Sequence, residues 1–272
     1  MKPPQSTDKE LILPAAEAER HIRVLTRRSL LRGALAAGAG LATWHWAMGR
    51  SEDGGLPWPL RRALEYDERL AEAVYRPDRL VPTFAPARAD PNPRVNGVIG
   101  LEGAFDAAAW QLQVVNVVRP GGRASFTLPE IQALPAVRTV MELKCVEGWS
   151  ILVDWTGARL SDLMAQCPPP TRSGRPFDVR RPEDLPRYVA MATPDAAYFV
   201  GLDMASALHP QTLLAYAING EPLSIEHGAP LRLVIPIKYG IKNLKRIGTI
   251  LYTDTRPSDY WAEQGYDWYA GH

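Results

Sequence analysis

The chain has two cysteines among its 272 residues. One of them, Cys145, closes the β-rich run Met141-Glu142-Leu143-Lys144-Cys145 before the chain breaks at Gly148. A thiol at a strand end and the start of a loop has four chemical readings. Free cysteine behaves as a small hydrophobe and is commonly inert core. In an oxidising compartment it would bridge to Cys167. With a base beside it the thiolate is a nucleophile, but His209, His227 and His272 are all remote in sequence. It is also a soft-metal ligand, although no CxxC or HxxxH grouping surrounds it to make a zinc set.

The elements that must position this thiol belong to one catalytic unit large enough to bury a real core. A formal net charge of +1 and scattered charged residues give no case for a nucleic-acid groove or a polybasic membrane patch. Residues 1–50 read as a targeting segment. A polar lead ends in Thr26-Arg27-Arg28-Ser29-Leu30-Leu31-Arg32, and the small-residue run Gly33-Ala34-Leu35-Ala36-Ala37-Gly38-Ala39-Gly40 follows, as in a twin-arginine export signal. A helix from Gly33 to Met48 would reach about 24 Å, short of a hydrocarbon core of about 30 Å. Such a segment, if uncleaved, would tether the protein to the membrane.

Residues 51–94 form a second region. Leu60, Leu64, Leu70 and Val74 stand near helical spacing and predict an amphipathic packing helix. From Arg76 to Pro93, prolines at 77, 82, 86, 91 and 93 predict an extended arm without regular structure, able to wall a pocket.

From residue 95 to 272 short strands and turns dominate. Strands are expected over Trp110–Val118, Val137–Cys145, Ser150–Trp155, Arg187–Ala192, Leu231–Ile235 and Arg246–Thr253. Thr127-Leu128-Pro129-Glu130 is a capping box opening a short helix, and further helices are expected over Leu160–Ala165 and Pro210–Ile218. The class is α+β, strand-dominated, with short peripheral helices.

Four pieces in order carry a resemblance. They are Lys144-Cys145-Val146-Glu147-Gly148-Trp149-Ser150, Asn219-Gly220-Glu221-Pro222-Leu223, His227-Gly228-Ala229-Pro230-Leu231-Arg232-Leu233, and Pro236-Ile237-Lys238-Tyr239-Gly240-Ile241-Lys242-Asn243-Leu244-Lys245. With the ending Gly265-Tyr266-Asp267-Trp268-Tyr269, they resemble the sulfite oxidase-type molybdopterin-binding oxidoreductase family, and within it the periplasmic methionine-sulfoxide reductase branch. The resemblance runs from Asn96 to His272.

It implies that Cys145 ligates molybdenum beside the dithiolene sulfurs of one pterin, a match of soft ligand to soft site. Cys167 is then a structural thiol. It also implies that Arg232 binds the pterin's phosphate end with its planar fork. His227 and Thr193 are further cofactor contacts. Asn243, Leu244 and Lys245 belong to a loop giving backbone and lysine donors to the same group, with Gly240 permitting close approach. Without the resemblance, Lys238, Lys242 and Lys245 read as a solvated face, and Trp110, Trp149 and Trp155 as packing.

The sulfite-oxidising branch follows its cysteine with a Gly-Asn-Arg-Arg-like run that holds a dianion. Here Val146-Glu147-Gly148-Trp149 stands instead, and Glu147 disfavours that substrate. The reading is two-electron oxygen-atom transfer, with reduction of a sulfoxide of the methionine sulfoxide type, small or protein-bound. Electrons would come from a membrane b-type haem partner. Sulfite oxidation is the alternative, and a non-catalytic exported domain of the same fold, with Cys145 bridged, is a third. The family's arm carries an Asn-Asn-aromatic motif for which the nearest material is Pro82-Thr83-Phe84-Ala85-Pro86.

Overall fold

A computed structural model describes residues 15–53, 55–76 and 79–272. The start of the expected export segment and Pro77 of the expected arm lie outside them. The chain divides into two compact units. The first holds helix α1 (Ala15–Met48) and the two-residue strand β1 (Glu52–Asp53). From Thr26 onward the side chains of α1 are exposed, apart from Ala47. Among the described residues no helix is long and apolar enough to cross a membrane.

The second unit holds Arg61–His272. After β2 (Leu56–Pro57), helix α2 (Trp58–Val74) forms as expected, but its covered face differs. Leu70 and Val74 are exposed, whereas Glu68 is buried. Polar anchors set the rotation: Arg61 donates to the Ala262 carbonyl at 3.0 Å, and Glu68 accepts from Arg256 at 2.7 Å.

Two sheets follow. One comprises β3 (Thr83–Phe84), β6 (Ala136–Lys144), β7 (Ser150–Arg159), β10 (Leu213–Ile218), β11 (Glu221–Pro222) and β12 (Arg232–Val234), in the order β11-β10-β7-β6-β3 with β12 also on β10. The other runs β5-β4-β13-β8-β9, from β4 (Leu112–Val115), β5 (Arg123–Phe126), β8 (Tyr188–Ala192), β9 (Phe199–Asp203) and β13 (Thr249–Thr253). Its β4–β13 pair is parallel. Burial alternates along β4, β8 and β13, as strands with one face on a core require. That core gathers Leu112, Val189, Met191, Val200, Ile250 and Tyr252 with Leu160, Leu163 and Met164 of α4 (Leu160–Gln166). Short helices α3 (Leu128–Gln132), α5 (Met204–Ala207) and α6 (Tyr260–Glu263) complete the α+β architecture. The Thr127 capping box forms, with Glu130 accepting from the Thr127 N–H at 2.7 Å.

Two expectations are corrected. Pro210–Ile218 is not a helix: Leu213–Ile218 is the strand β10, paired with β7, β11 and β12. Leu213, Leu214 and Ala215 are all fully buried. A short apolar run covered on both faces has no period to separate strand from helix. The arm is not wholly irregular either, because Thr83–Phe84 adds to the edge of β6 opposite Met141 and Val140, and Pro86–Arg88 is a 3-10 turn.

Candidate active site

β6 and β7 form a hairpin whose register runs without a break from Ala136↔Ala158 to Lys144↔Ser150. Its loop delivers Cys145. The Cys145 N–H donates to the Trp149 carbonyl at 2.9 Å, and the Gly148 N–H donates to the Cys145 carbonyl at 3.1 Å. Gly148 sits at φ 87°, the left-handed residue such short hairpin loops need. The Cys145 side chain is 8% exposed and faces a cleft.

That cleft spans about 920 Å³, open mouth included. Its lining includes Cys145, Glu147 and Trp149 from the hairpin, Arg94, Asn96 and Gly97 from the continuation of the arm past Pro93, Arg232 from β12, and Gly240, Asn243 and Lys245 from the loop before β13. Gly240 passes close to the thiol's backbone, since a Cβ there would stand 3.3 Å from the Lys144 carbonyl oxygen. The Asn96 amide nitrogen lies 3.8 Å from the Cys145 sulfur.

Arg232 lies deep, 4% exposed. Its Nη1 donates to the His227 carbonyl at 3.0 Å and its Nη2 to the Asn243 carbonyl at 3.4 Å. The guanidinium stands 4.7 Å from the centre of the Trp155 ring. Its Nε is buried without a partner. Burial pulls its pKa down to about 10. The Lys245 ammonium is pushed down to about 8 by burial, with repulsion from Arg232 adding. Two cations are thus held together at an energetic cost that an anion would offset.

Lys245 also fastens the arm. Its Nζ donates to the Asn96 and Gly97 carbonyls at 2.7 and 2.9 Å. His227 holds the same strap through Nε2–H to the Pro93 carbonyl at 3.2 Å, its Nδ1 accepting from the Ser224 hydroxyl at 2.8 Å. Burial lowers the His227 pKa, keeping this neutral tautomer. Farther back, Asn219 donates to the Asp90 carbonyl at 2.9 Å and Gln211 bonds both backbone groups of Val81.

The cleft therefore brings together Cys145, Arg232, Asn243 and Lys245, with His227 directly behind Arg232. Asn243 braces its loop, accepting from the Ile235 N–H at 2.9 Å and donating to the Tyr239 carbonyl at 3.2 Å. Thr193 and Leu244 do not line the cleft. Thr193 is buried, its hydroxyl donating to Asp195 at 2.5 Å. The Leu244 side chain is in the core, and its N–H is already given to the Lys242 carbonyl at 3.0 Å.

Sequence reasoning missed the arm residues Arg94, Asn96 and Gly97, which sit where no periodicity marks them. Trp149, read as packing, is a cleft wall with Arg94 over its ring at 4.8 Å. The lysine face is not solvated: Lys242 is buried against Asp259 at 2.5 Å, and Lys238 lies 3.3 Å from Asp203. Cys145 and Cys167 are both free, Cys167 fully buried.

Among the described residues no group of three or more His, Cys, Asp or Glu could hold a metal ion. A metal at Cys145 would need ligands carried by a cofactor. The residues fit one with a sulfur-bound metal at one end and a phosphate at the other: a thiol in the cleft wall, and an unpartnered buried Nε beside a second cation. An α+β fold with this pairing in its cleft suits a domain that binds an anionic, metal-bearing cofactor.

The family model described as oxidoreductase molybdopterin binding domain matches residues 99–261, and the chain belongs to that family. The protein-methionine-sulfoxide reductase catalytic subunit MsrP of Gluconobacter oxydans is 32% identical over 253 residues, covering 90% of this chain and 76% of that protein. A candidate protein-methionine-sulfoxide reductase subunit, YedZ1 of Azospira oryzae, is 36% identical over 166 residues, 61% of this chain and 57% of that protein. This chain thus spans little more than half the length of the Azospira relative. Among solved structures, the sulfane dehydrogenase SoxCD of Paracoccus pantotrophus aligns with a TM-score of 0.47 and 19% identity, over 56% of this chain and 40% of that one.

Proposed function

We propose that the chain is the catalytic part of an exported molybdenum–molybdopterin oxidoreductase that reduces sulfoxides of the methionine sulfoxide type. A membrane-bound b-type haem protein would supply two electrons. The sulfoxide takes these and two protons, leaving a thioether and water. One observation carries the reading: Cys145 shares a cleft with Arg232, Asn243 and Lys245. When bound, the cofactor supplies the two-electron oxygen-atom exchange.

The chain's own residues do the rest. Cys145 offers a thiolate to the metal and Asn96 an N–H to its sulfur. Arg232 and Lys245 neutralise the phosphate end, with the Asn243 carbonyl orienting Arg232. Glu147, fixed by the Trp149 indole N–H at 2.8 Å, puts a carboxylate in the cleft that repels dianions and admits a neutral S=O group. Export is supported by Arg27-Arg28 ahead of the small-residue stretch of α1, and such a helix, if retained, would tether the enzyme.

Sulfite oxidation is the second reading, favoured by the Arg94 guanidinium in the same cleft. Oxidation of reduced viologen by methionine sulfoxide, set against sulfite with an electron acceptor, separates the two. The expected result is turnover in the first assay; turnover in the second alone overturns the proposal.

A further inference from the structure

Among the cleft's positive groups, Arg94 is set apart. Arg232 and Lys245 each donate to backbone carbonyls. Arg94 is exposed, and among the described residues it has no carboxylate within ion-pair distance; its one specific contact is the face of the Trp149 ring, 4.8 Å from the centroid. Its backbone is nonetheless fixed on both sides. Pro93 is held by His227, and Asn96 and Gly97 by Lys245. A guanidinium stacked on an indole keeps its in-plane N–H donors available, and that fork matches a carboxylate.

The surroundings select the rest of the ligand. Trp149, Trp261, Tyr266, Tyr198 and Ile99 give the cleft that holds Cys145 a largely aromatic and apolar share of its lining, and Trp261 and Tyr266 pack edge to face at 5.2 Å. The alkyl substituents of a sulfoxide, and the thioether left after its reduction, pack well against aromatic rings. We infer that Arg94 is a specificity-determining residue that receives a carboxylate on the substrate, so that the preferred substrates are sulfoxides carrying a carboxylate near the sulfur, as the free amino acid does. This rests on the sulfoxide reading for the reaction but not for the binding group.

The test uses holoenzyme from molybdate-supplied cells, with reduced viologen as donor, on L-methionine sulfoxide, its carboxamide and dimethyl sulfoxide. Arg94→Ala is expected to raise KM for L-methionine sulfoxide on the order of tenfold, the loss of one charge-assisted contact, with molybdenum content unchanged. KM for the carboxamide and dimethyl sulfoxide should stay within about twofold, and Arg94→Lys should restore part of the loss. Equal effects on all three substrates, or none, overturn the assignment. If wild type reduces none of them, the sulfoxide reading fails by itself. Arg94 is then judged by calorimetric binding of L-methionine against L-methioninamide. A preference for the carboxylate that Arg94→Ala abolishes sustains the inference, and its absence in wild type refutes it.

Discussion

Lys245 donates to the carbonyl of Asn96 at 2.7 Å across 149 residues of sequence, so the cation proposed for the cofactor's phosphate also clamps the arm over the Cys145 sulfur. Arm closure and anion binding draw on the same ammonium. Lys245→Met is therefore expected to release the strap even in cofactor-free protein. Limited proteolysis between residues 94 and 98 should quicken by about tenfold or more, since a charged hydrogen bond contributes roughly 1.5–3 kcal/mol. Unchanged cleavage there would show that Lys245 does not hold the arm.

The strap also depends on pH. His209 donates Nε2–H to the Arg79 carbonyl at 3.1 Å while its Nδ1 accepts the Gln211 N–H at 3.2 Å. The Nδ1 contact requires the neutral ring, because an imidazolium has no acceptor nitrogen. Burial depresses the pKa of His209, and of His227, below the ordinary histidine value. A folded-state pKa below the unfolded value of about 6.5 means the contribution is complete above that pH and is lost as pH falls toward the folded value. The expected slope is about 1.4 kcal/mol per pH unit for each proton taken up. Urea unfolding at about pH 7.5 and about pH 5 should show His209→Gln losing less stability on acidification than wild type. Parallel losses would contradict the assigned tautomer.

Gly228 sits at φ +98°, and a Cβ there would stand 2.8 Å from the Lys245 Cβ and 2.9 Å from its Cα. The backbone of the cation loop is built against a bare glycine. Gly228→Ala is expected to cost about 2–4 kcal/mol through the strained φ and the clash. It should also lower pterin retention, because Lys245 is what must move. Thermal unfolding and pterin fluorescence of the purified variant check both, and an alanine accommodated without loss of either would contradict the close packing.

Much of this arrangement was legible before the fold. The strand ending at Cys145 could be read because an alternating run stops at a glycine able to take a left-handed turn, and Arg232 because the runs around it are specific in order. What stayed hidden depends on contacts made at long range. Arg94 and Asn96 enter the cleft only because His227, ahead of β12, and Lys245, in the loop before β13, catch the carbonyls of Pro93, Asn96 and Gly97. β10 was mistaken for a helix because both its faces are covered. Lys238 and Lys242 looked solvated because their partners Asp203 and Asp259 are distant in sequence. Local pattern reports local geometry; which pairs of charges meet in the interior does not.

The thiol decides the rest. Cys167 is sealed in the core, and burial holds its pKa above the ordinary thiol value, so Cys167→Ala serves as the control. Elemental analysis of protein made in molybdate-fed cells should find molybdenum in wild type and in Cys167→Ala, and only a small residue of it in Cys145→Ala. Equal molybdenum in Cys145→Ala and wild type would contradict the assignment of Cys145 as the metal's protein ligand.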